Sequence, residues 1–409
     1  MGPASRPTGA GTASAAHRRA ADRRAHARPV CLAVRAAMGI AAAMTTPGSM
    51  ALAFRLFDDP TLRVRSMTLI STVGLIGFAI GPVAGGAALA FVPWQALLLV
   101  NVPVATLAFV GIRTGISADT LEDLPRDPVD ASGALLGTAA IVLAVLTPTL
   151  LVDLGADSVL PWSASAATIV AGVLIVRRER TAAHPLPDLR LVARPLVSSG
   201  LAFKAAASLA VAGLNYLVAL QLQLDWAWPP AQAALGMLPQ VAVLIGGGAV
   251  ITPLINRVGL DRAAWISAVT VVCGLLVYAV LGRPGYVWVA VALALAAAGM
   301  RVVGVVAGNN VMHGLPKERT TLGAALADTA GEVATAIGVA VSGTAIAALF
   351  AGSITATSWT ADQGARFEAA ATWAGLVLTV LADALVAWGV IRSARHSSGP
   401  SAEPPQRDS

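Results

Sequence analysis

The chain predicts an all-α, polytopic membrane protein with about eleven transmembrane helices and no soluble domain, and three observations carry that reading. Of 409 residues, 56% are hydrophobic and a further 39 are glycine, while 12% are charged; mean hydropathy is +0.73. A soluble fold of this size needs a polar skin and cannot dispose of so much apolar surface. Apolar runs long enough to cross a hydrocarbon core of about 30 Å recur along the whole chain. The basic residues collect in the short segments between those runs, so the net charge of +6 reads as membrane orientation and not as nucleic-acid binding. The runs are too long for barrel strands and do not alternate, which leaves helices.

In chain order, residues 1–28 hold six Arg in an Ala/Gly/Ser/Pro-rich stretch without apolar periodicity, and are predicted to be disordered. Spans are predicted at 29–54, 66–92, 94–112, 131–152, 159–176, 196–221, 231–254, 263–282, 286–312, 321–350 and 369–391. The resulting organisation is a partial N-terminal bundle of three spans (29–112), a linker (113–130), two inserted linker helices (131–176), a loop (177–195), a C-terminal six-helix bundle (196–392) and a tail (393–409). Placing the tail in the cytoplasm puts seventeen Lys and Arg on the inner side. The outer loops then hold two, Arg283 and Arg366. The Arg-rich residues 1–28 fall outside on this count, against the bias.

An internal repeat relates Ala79–Ala90 to Ala336–Ala347, with six of twelve positions identical. It makes the second and tenth spans equivalent helices of two parallel halves, an architecture transporters use with the substrate between the halves.

The motifs exclude several chemistries. No Gly-rich loop ends in Lys-Ser/Thr, and no His-Glu-x-x-His is present. Cys31 and Cys273 both lie in apolar runs, and the five His fall in tails, loops or at a span end. The expectation is a carrier and not an enzyme, with no cofactor and no metal.

Four features point to transport. Gly77, Gly81 and Gly85 recur every four residues on one helix face, and Pro82 and Gly86 complete Gly-x-x-x-Gly-Pro-x-x-Gly-Gly. That face admits a second backbone, and Pro82 removes one helical hydrogen bond, so the segment is expected to act as a hinge. Arg35 lies within the first span, where it either snorkels outward or serves a proton pathway. Asp328 and Glu332 are one turn apart, roughly 12 and 18 Å above the inner edge. Two carboxylates in low dielectric do not comfortably both ionise, so one is expected to carry a proton; a water-filled vestibule that keeps both charged is the alternative. Arg301, at similar depth on the preceding span, is the expected counter-charge of that pair, with Asp225 as the other candidate partner. Asn215, Gln221, Asp225, Asn309 and Asp383 are substrate-cavity candidates; with Lys204, Gln223 and Asn310 they are alternatively helix–helix contacts.

These residues resemble a family. The Gly77–Gly86 motif is similar to the fifth-helix antiporter motif of major facilitator drug:proton antiporters. Arg35-x-x-x-Gly39-x-x-x-Ala43 is similar to their fourth-helix motif, with Met38 where the family usually has Gln. Trp94 with Asn101-Val102-Pro103, Pro253-Leu254-x-x-Arg257-x-Gly259, and the run from Gly323 to Gly343 are similar to later helices of the fourteen-helix branch, the quaternary ammonium and methyl viologen resistance type. The resemblance covers about 29–392. It implies a major facilitator-type helical bundle in a bacterial plasma membrane, exporting a small amphipathic or cationic substrate against protons, with Arg35 in proton transfer and no nucleic-acid partner. Laid on the family's helices, the first span becomes the fourth, and the chain reads as lacking the first three. Export of a self-made metabolite and a non-transporting membrane remnant are the rival readings.

Overall fold

A computed structural model describes residues 33–45, 48–49, 52–53, 56–57, 59–116, 130–154, 157–181, 189–248, 253, 257–315, 320–350 and 359–397. Among these residues the backbone is mostly helical, with no strand. The helices are α1 (Ala33–Thr45), α2 (Pro60–Ala88), α3 (Trp94–Leu99), α4 (Asn101–Gly115), α5 (Ala131–Leu154), α6 (Val159–Thr181), α7 (Leu189–Val192), α8 (Pro195–Leu220), α9 (Pro230–Leu235), α10 (Leu238–Gly246), α11 (Leu260–Leu281), α12 (Tyr286–Gly314), α13 (Thr320–Leu349) and α14 (Ala361–Ser397). Seven of the described helical stretches are long and apolar enough to cross a membrane: Trp94–Gly115, Val159–Thr181, Pro195–Asp225, Arg262–Leu281, Tyr286–Val311, Leu322–Leu349 and Ala361–Ala394. Ala33–Thr45, Ala131–Thr147 and Pro230–Gly246 are shorter apolar helices.

Local chemistry moves several ends away from those predicted. α2 starts at Pro60 because Asp59 accepts the Thr61 amide (2.7 Å), with proline in the first helical position. α14 starts well before 369. Thr360 Oγ1 accepts the Gln363 amide (3.3 Å) and Gln363 Oε1 accepts the Thr360 amide (3.0 Å), a reciprocal cap. α6 carries on past 176 through Arg178, which grips Asp130 just before α5 (2.8 Å). At the other end of α8 a π-helical turn, Gln221–Asp225, extends the span. Ala227 follows with φ 52°, an uncommon conformation for a residue with a Cβ.

Two compact units divide the chain, Met1–Thr72 and Val73–Ser409. The first holds α1 and the opening of α2. In the second, α8 is the central helix, packing against α12, α13 and α14, while α11 packs on α12 and α14, α10 on α12, and α5 on α6 and α13. Leu214, Leu217, Val218 and Leu222 have no exposed surface. Lipid gives helices no hydrophobic reason to associate, so small residues and close backbone approach must do it. A Cβ on Gly299 of α12 would lie 2.6 Å from the Ser267 carbonyl oxygen of α11, and one on Gly274 of α11 would lie 3.0 Å from the Ala292 carbonyl oxygen of α12. Gly338 of α13 sits in the same way on the Leu209 carbonyl of α8.

Candidate functional site

Three charged residues of the C-terminal bundle, Lys204, Asp328 and Glu332, lie on two helices that pack together, α8 and α13. Lys204 lies nine residues into α8, roughly 14 Å from its inner end. Gly331 of α13 lies at a comparable level. A Cβ on Gly331 would be 3.0 Å from Lys204 Cε and 3.2 Å from Ser208 Oγ, so the lysine stem runs across the gap that Gly331 leaves. Asp328 precedes Gly331 by three residues and Glu332 follows it. At 100° per residue both point to the same side of that contact. Lys204 and Asp328 are half-buried and Glu332 is exposed. Further along the same crossing, Ser342 is fully buried and donates to the carbonyls of Gly338 (2.8 Å) and Gly213 (3.4 Å), tying α13 to α8.

Arg301 is not beside the acidic pair. Its guanidinium donates to the Leu244 carbonyl in the last turn of α10 and lies against Gly248. The cause is the early end of α10 at Gly246, capped at Gly247. The carbonyls of a last helical turn have no partner within the helix and concentrate partial negative charge, and within a membrane no water is at hand to satisfy them. A guanidinium supplies both donors and charge. The expected pairing of Arg301 with Asp328 and Glu332 is therefore corrected for this structure: the cation on the acidic pair's helix crossing is Lys204.

The hinge motif is also placed differently from expectation. A Cβ on Gly77, Gly81 or Gly85 would meet nothing within 4 Å, whereas one on Gly86 would lie 2.6 Å from Ala234 Cβ and 2.7 Å from the Pro230 carbonyl oxygen. One residue is a 100° turn, so the close approach is made on a different face from that of the four-residue repeat. The side chain of Pro82 lies outside those described. Arg35 is exposed on α1, in the first unit.

Of the cavity candidates, Gln221 is buried and donates to the Gly282 carbonyl (2.9 Å). Asn215 is half-buried, with an Oδ1 that has no partner among the described residues. Asn309 and Asp225 are half-buried, and Asp383 is exposed on α14. Among the described residues no group of three or more His, Cys, Asp or Glu could hold a metal. The sequence reading did not single out Gly331, Tyr278 or Glu368. Gly331 had a signal, since it lies between the two carboxylates it helps to place. Tyr278 and Glu368 had none, because their significance depends on helices distant in sequence.

At the inner end, the Arg178 guanidinium and then the Gly133 amide hold the Asp130 carboxyl well below the usual carboxylate range. This pair fastens α6 to the start of α5, through Arg178 Nε (3.0 Å) and Nη2 (2.8 Å).

A family model described as Major Facilitator Superfamily matches residues 9–339, most of the chain. The chain belongs to the Major Facilitator Superfamily. The match begins inside the Arg-rich segment, earlier than the resemblance at 29 anticipated. This superfamily member is similar to the multidrug efflux pump LfrA of Mycolicibacterium smegmatis, 27% identical over 78% of this chain and 63% of that protein. It is 28% identical to the cephamycin export protein CmcT of Amycolatopsis lactamdurans, over 55% of this chain and 47% of that one. To the methyl viologen resistance protein SmvA of Salmonella typhimurium it is 25% identical, over 80% and 66%. The chain thus spans between about half and two thirds of the length of the curated relatives it matches. Bacterial relatives and repeated apolar helices make this superfamily member a multi-pass protein of the bacterial inner membrane.

Proposed function

We propose that this chain performs proton-coupled export of hydrophobic or cationic compounds, with Asp328 and Glu332 as the proton-carrying groups and Lys204 as the fixed charge beside them. The observation that carries this reading is the crossing of α8 and α13, where the Lys204 stem lies against Gly331, a residue that Asp328 and Glu332 flank in the sequence. Ionisable side chains in spans are costly, and three of them at one depth on two packed helices mark an ion pathway. Asn215, on the same helix as Lys204, offers an unpartnered amide oxygen to a substrate. Arg301 holds the end of α10, and Arg35 remains the proton-transfer candidate of the N-terminal spans.

Ethidium and methyl viologen efflux from cells expressing residues 1–409 tests the reading. Glu332→Gln keeps shape but cannot release a proton, so gradient-driven efflux should be lost while dye binding to the purified chain persists. Normal pumping by both Glu332→Gln and Asp328→Asn would overturn it. A second reading is export of a self-made metabolite by the same mechanism, favoured by the similarity to a cephamycin export protein. Secretion that fails on deletion, with dye efflux unchanged, would select it.

A further inference from the structure

A second charged cluster lies at the opposite end of the bundle, the end that the basic-residue bias assigns to the outside. There the π-helical turn after α8, the end of α11 and the start of α14 enclose a small cavity with room for about one water molecule. Asp225 and Glu368 line it with carboxylates, and both are half-buried. Two further groups line the same cavity and are themselves enclosed: Gln221 is 5% exposed and Tyr278 is 3% exposed. Neither Gln221 Oε1 nor the Tyr278 hydroxyl has a hydrogen-bond partner among the described residues. The Gln221 amide nitrogen is spent on the Gly282 carbonyl, which leaves the oxygen as the end of this cavity-lining amide without a partner.

Arg283 and Thr372 also line the cavity, and the guanidinium is bonded to neutral groups. Arg283 donates to the Thr372 hydroxyl (2.6 and 3.1 Å) and to the main-chain carbonyl of Glu368 (3.2 Å), and to neither carboxylate. The other titratable groups around the cavity are engaged elsewhere. Tyr286 of α12 donates to the Gly236 carbonyl (3.1 Å), and Arg366 is paired with Asp362 one turn earlier on α14 (2.9 Å). Two carboxylates and one guanidinium leave one negative charge uncompensated. Buried polar atoms without partners are rare in native structures and call for an occupant. The π-turn that aims Gln221 and Asp225 belongs to a class of distortion found mostly at functional sites.

We propose that Gln221, Asp225, Tyr278 and Glu368 form a binding site for one water-sized monovalent cation, a proton held as hydronium or a bare alkali ion, at the outer end of the C-terminal bundle. The donor set suits that ligand: two anionic oxygens, an amide oxygen and a phenol oxygen, with a volume that excludes an organic cation. If the chain is an antiporter, this is where the coupling ion loads from outside. That role rests on the proposed function; the binding does not.

The test is infrared difference spectroscopy of the full chain in liposomes with no transported compound present. Sodium chloride replaces choline chloride at constant ionic strength in one arm, and pH is lowered in the other. The wild-type response should contain a saturable carboxylate component that remains when the response of Asp225→Asn or of Glu368→Gln is subtracted. Tyr278→Phe removes only the hydroxyl and should raise the half-saturating concentration roughly tenfold, the usual worth of a hydrogen bond to a charged group. A response in both arms assigns an alkali ion as well as a proton, and a response to acid alone assigns the proton. Identical spectra for the wild type and both carboxylate variants, or an unaltered Tyr278→Phe, would overturn the site. Should the carboxylate variants fail to fold, Tyr278→Phe still decides. A chain that binds but does not pump would leave the site standing and sink the antiport reading, and one that pumps without this response would do the reverse.

Discussion

Helix α8 and the α3–α4 pair are both apolar enough to cross a membrane, yet 67% of the apolar stretch of α8 is buried within the protein and none of that of α3–α4 is. Leu107 and Phe109 of α4 are 73% and 64% exposed, whereas Leu214 and Leu217 of α8 are wholly enclosed. Leucine thus serves lipid in one helix and protein in the other. In a soluble protein hydropathy would separate these surfaces. In a membrane it reports only the solvent, because lipid tails are as apolar as leucine. What distinguishes α8 is its small residues, among them Gly200, Ala206, Ala207, Ser208, Ala210 and Gly213, all buried. They let α12, α13 and α14 approach its backbone, as Gly200 does against the Ala307 carbonyl oxygen (2.7 Å from a Cβ built there).

Four comparisons break or sharpen this contrast. The largest effect is expected for Gly338→Leu, which drives a side chain into the Leu209 carbonyl of α8. Backbone cannot rotate away, so the loss should reach or pass the upper end of the usual overpacking range of about 1–3 kcal/mol. Gly111→Leu on α4, where nothing lies within 4 Å, should stay within about 0.5 kcal/mol. Thermal unfolding of the two purified variants, followed by retention as a monodisperse peak, reads the difference directly. Equal losses would mean that α4 has a partner as tight as α13.

Next, Leu214→Ala should cost about 2 kcal/mol, near the low end for core leucines, since lipid contributes no transfer term and only the cavity and lost dispersion remain. Leu107→Ala should be close to neutral in the same assay. Ser342→Ala removes the hydroxyl that reaches the Gly213 carbonyl, and about 0.6 kcal/mol is expected, the average for hydrogen bonds between membrane helices. No measurable loss in the same assay would mean that the hydroxyl serves only the Gly338 carbonyl of its own helix.

The smallest effect concerns the linker helices, where a charge pair outside the apolar region replaces close packing. Arg178 depresses the pKa of Asp130 in the folded chain, so the pair stabilises the α5–α6 contact above the unfolded carboxylate value, about 3.9, and that contribution is lost as pH falls through the folded value. The contact, read as the distance between spin labels placed at the ends of α5 and α6, should therefore weaken only in strong acid. Asp130→Asn should show the weakened state already at neutral pH. A half-loss near pH 6 would mean that some other group fastens the two helices.

Much of the fold was legible in the chain. Apolar runs of span length, separated by short basic segments, dictate helices in lipid, and the described residues of the predicted spans are mostly helical, with breaks such as those at 89–92 and 236–237. Boundaries were less legible, because they were set by single polar contacts. The Thr360–Gln363 cap lengthens α14 outward, and the Arg178–Asp130 pair keeps α6 helical past its apolar part. The site was legible as a list of costly residues and not as a set of pairs. Asp328 and Glu332 share one helix, so their adjacency followed from 3.6 residues per turn. Arg301 had a matching depth and was paired with them on that ground, but depth is one coordinate of three. It turned instead to the open end of α10, a helix terminus whose place within the span no periodicity announces.

Composition by itself determined the solvent and the element type, because each is a sum over many residues that no packing detail can reverse. Only the tertiary structure decided which glycines touch a backbone, which cation lies against the acidic helix and which polar atoms share the outer cavity. Those depend on helices far apart in sequence arriving at one place, and a close contact in lipid is specified by shape and single hydrogen bonds, which leave no periodic trace in the chain.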